Sequence, residues 1–308
     1  MLQLIKPDTK IDFVGKRKYA LLASGLLCLL GLVVLVRPGP RYGIDFAGGT
    51  LLQVRFQQQV EIGQVRAALG ELGPEVSVQE FGTTRGEYLL RVPQSATEPG
   101  KVGEQIRRAL EQRFGGASSF EILRTETVGP RVGAELRRKA FLAVLFATLM
   151  MGVYIAVRFE VRFGIGAAVA LLHDVIVTTA VLILFGYDFD LTIVAALLTI
   201  VGFSVNDTVI VSDRIRENMR KSRRQHLGTI INQSINETLS RTVLTTGTGL
   251  LVIVALYFLG GDVIHGFAFA LLVGFTVGTY SSIFIASPVV LAFERAVTPS
   301  RSPQRAAS

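Results

Sequence analysis

Asp207 lies in the stretch Leu191 to Val211, LTIVAALLTIVGFSVNDTVIV, which is otherwise apolar enough to cross a membrane. A carboxylate at mid-helix in a bilayer costs roughly 2.5 to 3.5 kcal/mol, so it requires a partner, a water-filled cavity or a proton. The chemistry this points to is proton or ion coupling. Asn206 precedes the acid, and Thr199, Phe203 and Ile210 share its helical face. Arg241 opens the next apolar run. If the two runs are antiparallel neighbours, Arg241 comes towards Asp207 and holds it ionised until a proton displaces it. The structural alternatives are a plain salt bridge and an Arg241 that snorkels to the interface. A second polar pair, His173-Asp174, interrupts the preceding run, with Thr178 one turn further on. Both residues could join a relay. Adjacent positions on a helix point about 100° apart, so one should face the bundle and the other a different neighbour. An interhelical hydrogen bond is the structural alternative.

Half of the 308 residues are apolar and the mean hydropathy is +0.46, values that suit an integral membrane protein. Apolar runs occur at about 19 to 36, 140 to 157, 164 to 186, 190 to 212, 242 to 260 and 264 to 294, which predicts six membrane helices. The first follows a basic start at residues 1–18 and ends in Arg37-Pro38-Gly39-Pro40, without a small-x-small cleavage site, so it reads as an uncleaved signal anchor. Lys and Arg gather at the N-terminus, at Arg158 and Arg162, between Arg214 and Arg224, and at Arg295, Arg301 and Arg305. The short links Gly186 to Asp190 and Gly260 to Val263 carry none. The positive-inside rule therefore predicts both termini in the cytoplasm.

The one long hydrophilic stretch, 37–139, falls on the outer side by alternation. Its pattern reads strand 50–56, helix 61–72, strand 76–81, strand 87–92, helix 100–114 and strand 119–127. That β-α-β-β-α-β order predicts a ferredoxin-like domain between helices one and two. The segment 213–241 is too polar to cross the bilayer but carries Ile230, Ile231, Ile235 and Leu239 at helical spacing, so it is expected along the cytoplasmic interface. Residues 298–308 form a short polar cytoplasmic tail.

Several functions are excluded. The single cysteine, Cys28, sits in the first apolar run, and His173, His226 and His265 lack metal-ligand spacing, so neither a disulfide framework nor zinc is expected. The net charge of +8 flanks the apolar runs, which fits a lipid bilayer and not nucleic acid. The glycines of Tyr42-Gly43-Ile44-Asp45-Phe46-Ala47-Gly48-Gly49 are not followed by Lys-Ser/Thr and follow a membrane helix, so they shape the passage into the first outer strand and bind no nucleotide. Asp174 and Asp207 on successive helices suggest an intramembrane aspartyl protease, but the GxGD context of such enzymes is absent. Gly274 and Gly278 stand at GxxxG spacing, which predicts close helix packing.

Six helices, one outer domain after the first, GIDFAGG, the HDV of helix three and GFSVNDTVIVSDRIREN in helix four together resemble the SecF family of the bacterial SecDF protein-export complex, in the resistance-nodulation-division superfamily. The resemblance covers essentially the whole chain. It implies one half of a two-half proton-driven machine in the bacterial cytoplasmic (inner) membrane, with SecD as the other half. It further implies the SecYEG channel and a translocating preprotein as partners, with YajC and YidC as further associates. By motif, Asp207 would be the proton-carrying carboxylate and Arg241 its basic counterpart, with Asn206, Asp174 and His173 beside them. Gly43, Asp45, Phe46, Gly48 and Gly49 would form a structural motif on the way into the outer domain. No cofactor or covalent chemistry is implied, and protons are the coupling ion. The competing readings are a proton-coupled small-molecule efflux half-transporter, for which about 100 outer residues are few, and a structural assembly subunit without proton coupling.

Overall fold

The computed structural model describes residues 10–70, 76–80, 86–93, 102–116, 119–222 and 225–297. Its elements run α1 (Arg17–Val36), β1 (Arg41–Tyr42), α2 (Ile44–Ala47), β2 (Gly49–Phe56), α3 (Ile62–Leu69), β3 (Ser77–Glu80), β4 (Glu87–Pro93), α4 (Val102–Phe114) and β5 (Phe120–Val128). After these come α5 (Pro130–Arg158), α6 (Val161–Leu184), β6 (Asp188–Phe189), α7 (Leu191–Lys221), α8 (Leu227–Leu259), α9 (Asp262–Ser281), a π-helical turn (Ser282–Ala286) and α10 (Ser287–Val297). Among the described residues, six helical stretches are long and apolar enough to span a membrane: α1, α5, α6, α7, α8 and the continuous Val263–Glu294.

The α+β domain has the expected strand and helix order. Its sheet runs β3-β4-β2-β5 with every neighbouring pair antiparallel, the ferredoxin-like arrangement. Alternation decides which face is buried: Leu52, Val54 and Phe56 of β2 and Tyr88, Leu90 and Val92 of β4 all point towards α3 and α4, where Val65, Leu69, Ile106 and Leu110 meet them. The predicted cytoplasmic tail, 298–308, residues 1–9 of the basic start, and the ends of several predicted domain elements (71–72, 81 and 100–101) lie outside the described residues.

Small residues let the spanning helices approach closely, since lipid gives helices no hydrophobic reason to associate. A Cβ on Gly164 of α6 would come within 2.7 Å of the Gly152 carbonyl oxygen on α5. The Gly274 and Gly278 pair on α9 receives Ile200 and Ser204 of α7, as the spacing predicted; a Cβ there would lie 2.2 Å from Ile200 Cδ1 and 3.1 Å from Ser204 Cβ.

The segment 213–241 differs from expectation. It is no separate interfacial piece, because α7 runs unbroken to Lys221 and α8 starts at Leu227. Ile231 and Ile235 are 0% and 1% exposed and pack with Val211 and Ile215 of α7, with Phe13 and with Phe159. The stripe of Ile230, Ile231, Ile235 and Leu239 lies on one helix, α8, and the extension of α7 covers it. Arg214 binds Glu237 at 2.5 Å, and Asn218 donates to Ser234 at 3.0 Å and to Glu237 at 2.7 Å, closing the two extensions on each other. Asn232 and Asn236 accept from the backbone N–H groups of Phe13 and Ile11.

Candidate functional site

Three of the spanning helices, α6, α7 and α9, bury their polar residues against one another. Asp207 of α7 is 5% exposed, and its Oδ1 accepts a hydrogen bond of 2.6 Å from the Thr242 hydroxyl of α8. Its Oδ2 is buried and forms no hydrogen bond of ordinary length among the described residues, with the Ser282 hydroxyl as its polar neighbour. The expected Arg241–Asp207 pair is not formed: Arg241 is exposed, and the next residue along α8 holds the acid instead. The reason is helical geometry, since a residue whose neighbour faces the bundle is itself turned about 100° away. Asn206 is exposed by the same rule on α7.

Asp174 of α6 is fully buried and densely bonded. Its Oδ2 accepts from Ser204 of α7 at 2.6 Å and from Ser281 of α9 at 2.8 Å, and its Oδ1 lies 3.1 Å from His173 Nδ1. The carboxylate ties three helices together. His173 is also buried, because α6 is enclosed by α1, α5, α7 and α9. Its ring lies beside Tyr280, whose hydroxyl reaches Ser24 on α1 at 3.0 Å, while His173 Nε2 has no partner among the described residues. Thr178, one turn further on, bonds to neither residue.

Adjacent residues of α9 connect the two centres. Ser281 holds Asp174, and Ser282, the first residue of the π turn, bonds Thr208 beside Asp207 at 3.0 Å. Such turns widen the helix by one residue and recur at functional sites. The sequence reading missed Thr242, Ser204 and Ser281. The doublet Ser281-Ser282 in an otherwise apolar run was a visible signal, whereas nothing in the sequence distinguishes Thr242 from Thr245.

At the domain-side end of the bundle, the residues of the GIDFAGG motif each have a contact. Gly43 N–H donates to Phe189 at 2.8 Å, and a Cβ there would stand 3.3 Å from Asp190 Cβ. Asp45 Oδ2 accepts from the Leu191 N–H at 3.0 Å. Phe46, 4% exposed, packs with Ala140, Phe189 and Ile193. Gly48 has φ +79° and would clash with Pro130 if it carried a Cβ, at 3.0 Å. Gly49 opens β2 and pairs with Pro93 and Val128. Nearby, burial pushes the Asp190 carboxyl above the usual carboxylate range, against the hydrogen bond it accepts from Ile193 at 2.9 Å.

Fold and site together define a multi-pass membrane transport protein with carboxylates inside its helix bundle. Residues 109–296 match the family described as protein export membrane protein SecD/SecF, C-terminal, and residues 33–60 match the SecD/SecF GG motif. The chain is 46% identical over 284 residues to protein translocase subunit SecF of Desulfurispirillum indicum, covering 90% of each. It is 40% identical to SecF of Escherichia coli O157:H7, covering 91% of this chain and 87% of that one. The crystal structure of SecDF from Thermus thermophilus, described as a translocon-associated membrane protein, superposes with a TM-score of 0.82 at 39% identity over 95% of the chain. The chain spans 40% of that longer SecDF protein. It belongs to the SecF family of protein translocase subunits.

Proposed function

We propose that this chain pairs with a separate SecD chain in the bacterial cytoplasmic membrane and that proton flow through the pair drives preprotein translocation and release on the outer side. The α+β domain is extracytoplasmic and both termini are cytoplasmic, in line with the basic residues that flank the opposite bundle end. The observation that carries the proton reading is Asp207, buried in the bundle with one oxygen held by Thr242 and the other not hydrogen-bonded among the described residues. A carboxylate in that setting can gain and lose a proton with little rearrangement, whereas Asp174, bonded to both α7 and α9, is suited to hold geometry. His173 is the titratable neighbour within reach of that second centre.

Pairing with SecD is supported by the Thermus thermophilus SecDF relative, 40% identical over 293 residues, which carries both names in one chain. It is also supported by a polar strip on the outside of the bundle, where Thr199, Gly202 and Asn206 of α7 and Arg241, Thr245 and Thr248 of α8 are exposed. Lipid is a poor neighbour for such a strip, and another helix bundle a good one. In this reading Arg241 and Asn206 belong to the SecD-facing surface. The SecYEG channel and the emerging preprotein are the further partners, with YajC and YidC as associates; no cofactor and no covalent chemistry are involved.

One elementary charge moving through 100 mV releases about 2.3 kcal/mol, enough to bias a two-state rearrangement roughly fifty-fold. The test is preprotein export into membrane vesicles carrying the SecD pair, with and without proton-motive force. Asp207→Asn should assemble with SecD and lose the proton-stimulated part of export. Stimulation that survives the substitution would sink the proton reading and leave a structural assembly subunit.

A further inference from the structure

Covalently, the α+β domain hangs from α1 and α5, and neither carries a membrane carboxylate. Its hydrogen-bonded hold on α7, the helix of Asp207, is concentrated at residues 188–191. There β1 pairs in parallel with β6, Arg91 of β4 forms an ion pair with Asp188, and Asp45 of α2 accepts from Leu191 N–H. The last of these bonds is not required to start the helix. Asp190 is already the N-cap of α7 and serves the Ile193 N–H, as an N-cap residue does. Asp45 takes the Leu191 N–H, a separate donor at the first helical position, and does so from 146 residues away in the chain. It also brings a second carboxylate towards Asp190, an arrangement that a simple cap would avoid.

We infer that Asp45 is a positioning residue that locks the turn leading into the α+β domain to the N-terminus of α7, so that displacement of the domain and displacement of Asp207 are one movement. Asp207 stands 16 residues further along an unbroken helix, about 24 Å at 1.5 Å per residue, a span a helix transmits without bending. On the other side of the lock, α2 leads directly through Gly48 into β2, the central strand between β4 and β5. Phe46 anchors the same turn in the bundle, and the close approach of Gly133 to the Phe46 carbonyl oxygen, 3.0 Å for a Cβ placed there, brings α5 into the same junction. The inference rests on the proton-coupled reading and adds the route by which the domain feels it.

The experiment uses the SecD-paired complex carrying Asp45→Ala or Asp45→Asn, with two readouts. Amide hydrogen exchange at Leu191 reads the bond itself: Asp45→Ala should speed it by about five-fold, the equivalent of one lost cap, and Asp45→Asn, which keeps an acceptor oxygen, should restore most of the protection. Export reads the consequence. Asp45→Ala should lower the proton-stimulated part to less than half while SecD co-purification and proton-independent export stay at wild-type level, and Asp45→Asn should rescue it. Full stimulation in Asp45→Ala overturns the inference, as does unchanged exchange at Leu191 or an Asn variant as impaired as the Ala one. Failure of the proton reading shows separately, as stimulation that survives Asp207→Asn.

Discussion

Thr242 and Ser281 place their hydroxyls on carboxylates that a bilayer would otherwise leave unsolvated, and each does so from a helix other than the one carrying the acid. A hydroxyl suits this task because it donates one hydrogen bond without adding charge, and its alternative partner, the carbonyl four residues back, keeps it satisfied within the helix. A charge-assisted bond of this kind contributes about 1.5 to 3 kcal/mol when its loss strands a buried group. Thr242→Val is nearly isosteric and removes the donor, so Asp207 Oδ1 loses the hydrogen bond it has and neither oxygen is then hydrogen-bonded among the described residues. The expected result is a proton-stimulated export at least several-fold below wild type, with Thr242→Ser close to normal, measured in the same vesicle assay. Equal export in all three proteins would mean that Thr242 merely fills space.

Among the helices, the site depends on how closely backbones approach. Gly164 and Gly152 bring α5 against α6, and Gly274 and Gly278 seat Ile200 and Ser204 of α7 in α9. Because Ser204 reaches Asp174 only through that seat, packing and polar bonding share the same small residues. Gly164→Ala puts a methyl 2.7 Å from a backbone oxygen that cannot rotate away, so a loss of about 1 to 3 kcal/mol is expected from overpacking. Gly202→Ala has nothing within 4 Å and should leave the stability of the isolated chain unchanged or slightly raised, by up to about 1 kcal/mol. Thermal unfolding of both variants in one detergent checks the contrast.

For the whole molecule, the junction between domain and bundle concentrates acids: Asp45, Asp188 and Asp190 surround the start of α7, with Arg91 as the facing cation. Burial raises the Asp190 carboxyl above its unfolded value, so its contribution to stability is full below about pH 4 and is lost as pH rises through the raised folded value. Asp190→Asn keeps a capping oxygen and removes the charge. Its melting temperature should therefore exceed that of wild type at pH 7 and converge with it near pH 4; the reverse order would mean that the helix N-terminus stabilises the charge more than burial opposes it. The amino-acid sequence by itself determined six spanning helices, the β-α-β-β-α-β domain and the positions of Asp174 and Asp207, because apolar run length, strand alternation and a lone carboxylate are local properties of a chain. Only the tertiary structure decided which neighbours those acids have. A shift of one residue turns a helix by about 100°, so Thr242 and not Arg241 meets Asp207; likewise only the packing of distant segments shows that the α7 extension covers Ile231 and Ile235 and that Asp45 accepts from the Leu191 N–H, 146 residues away.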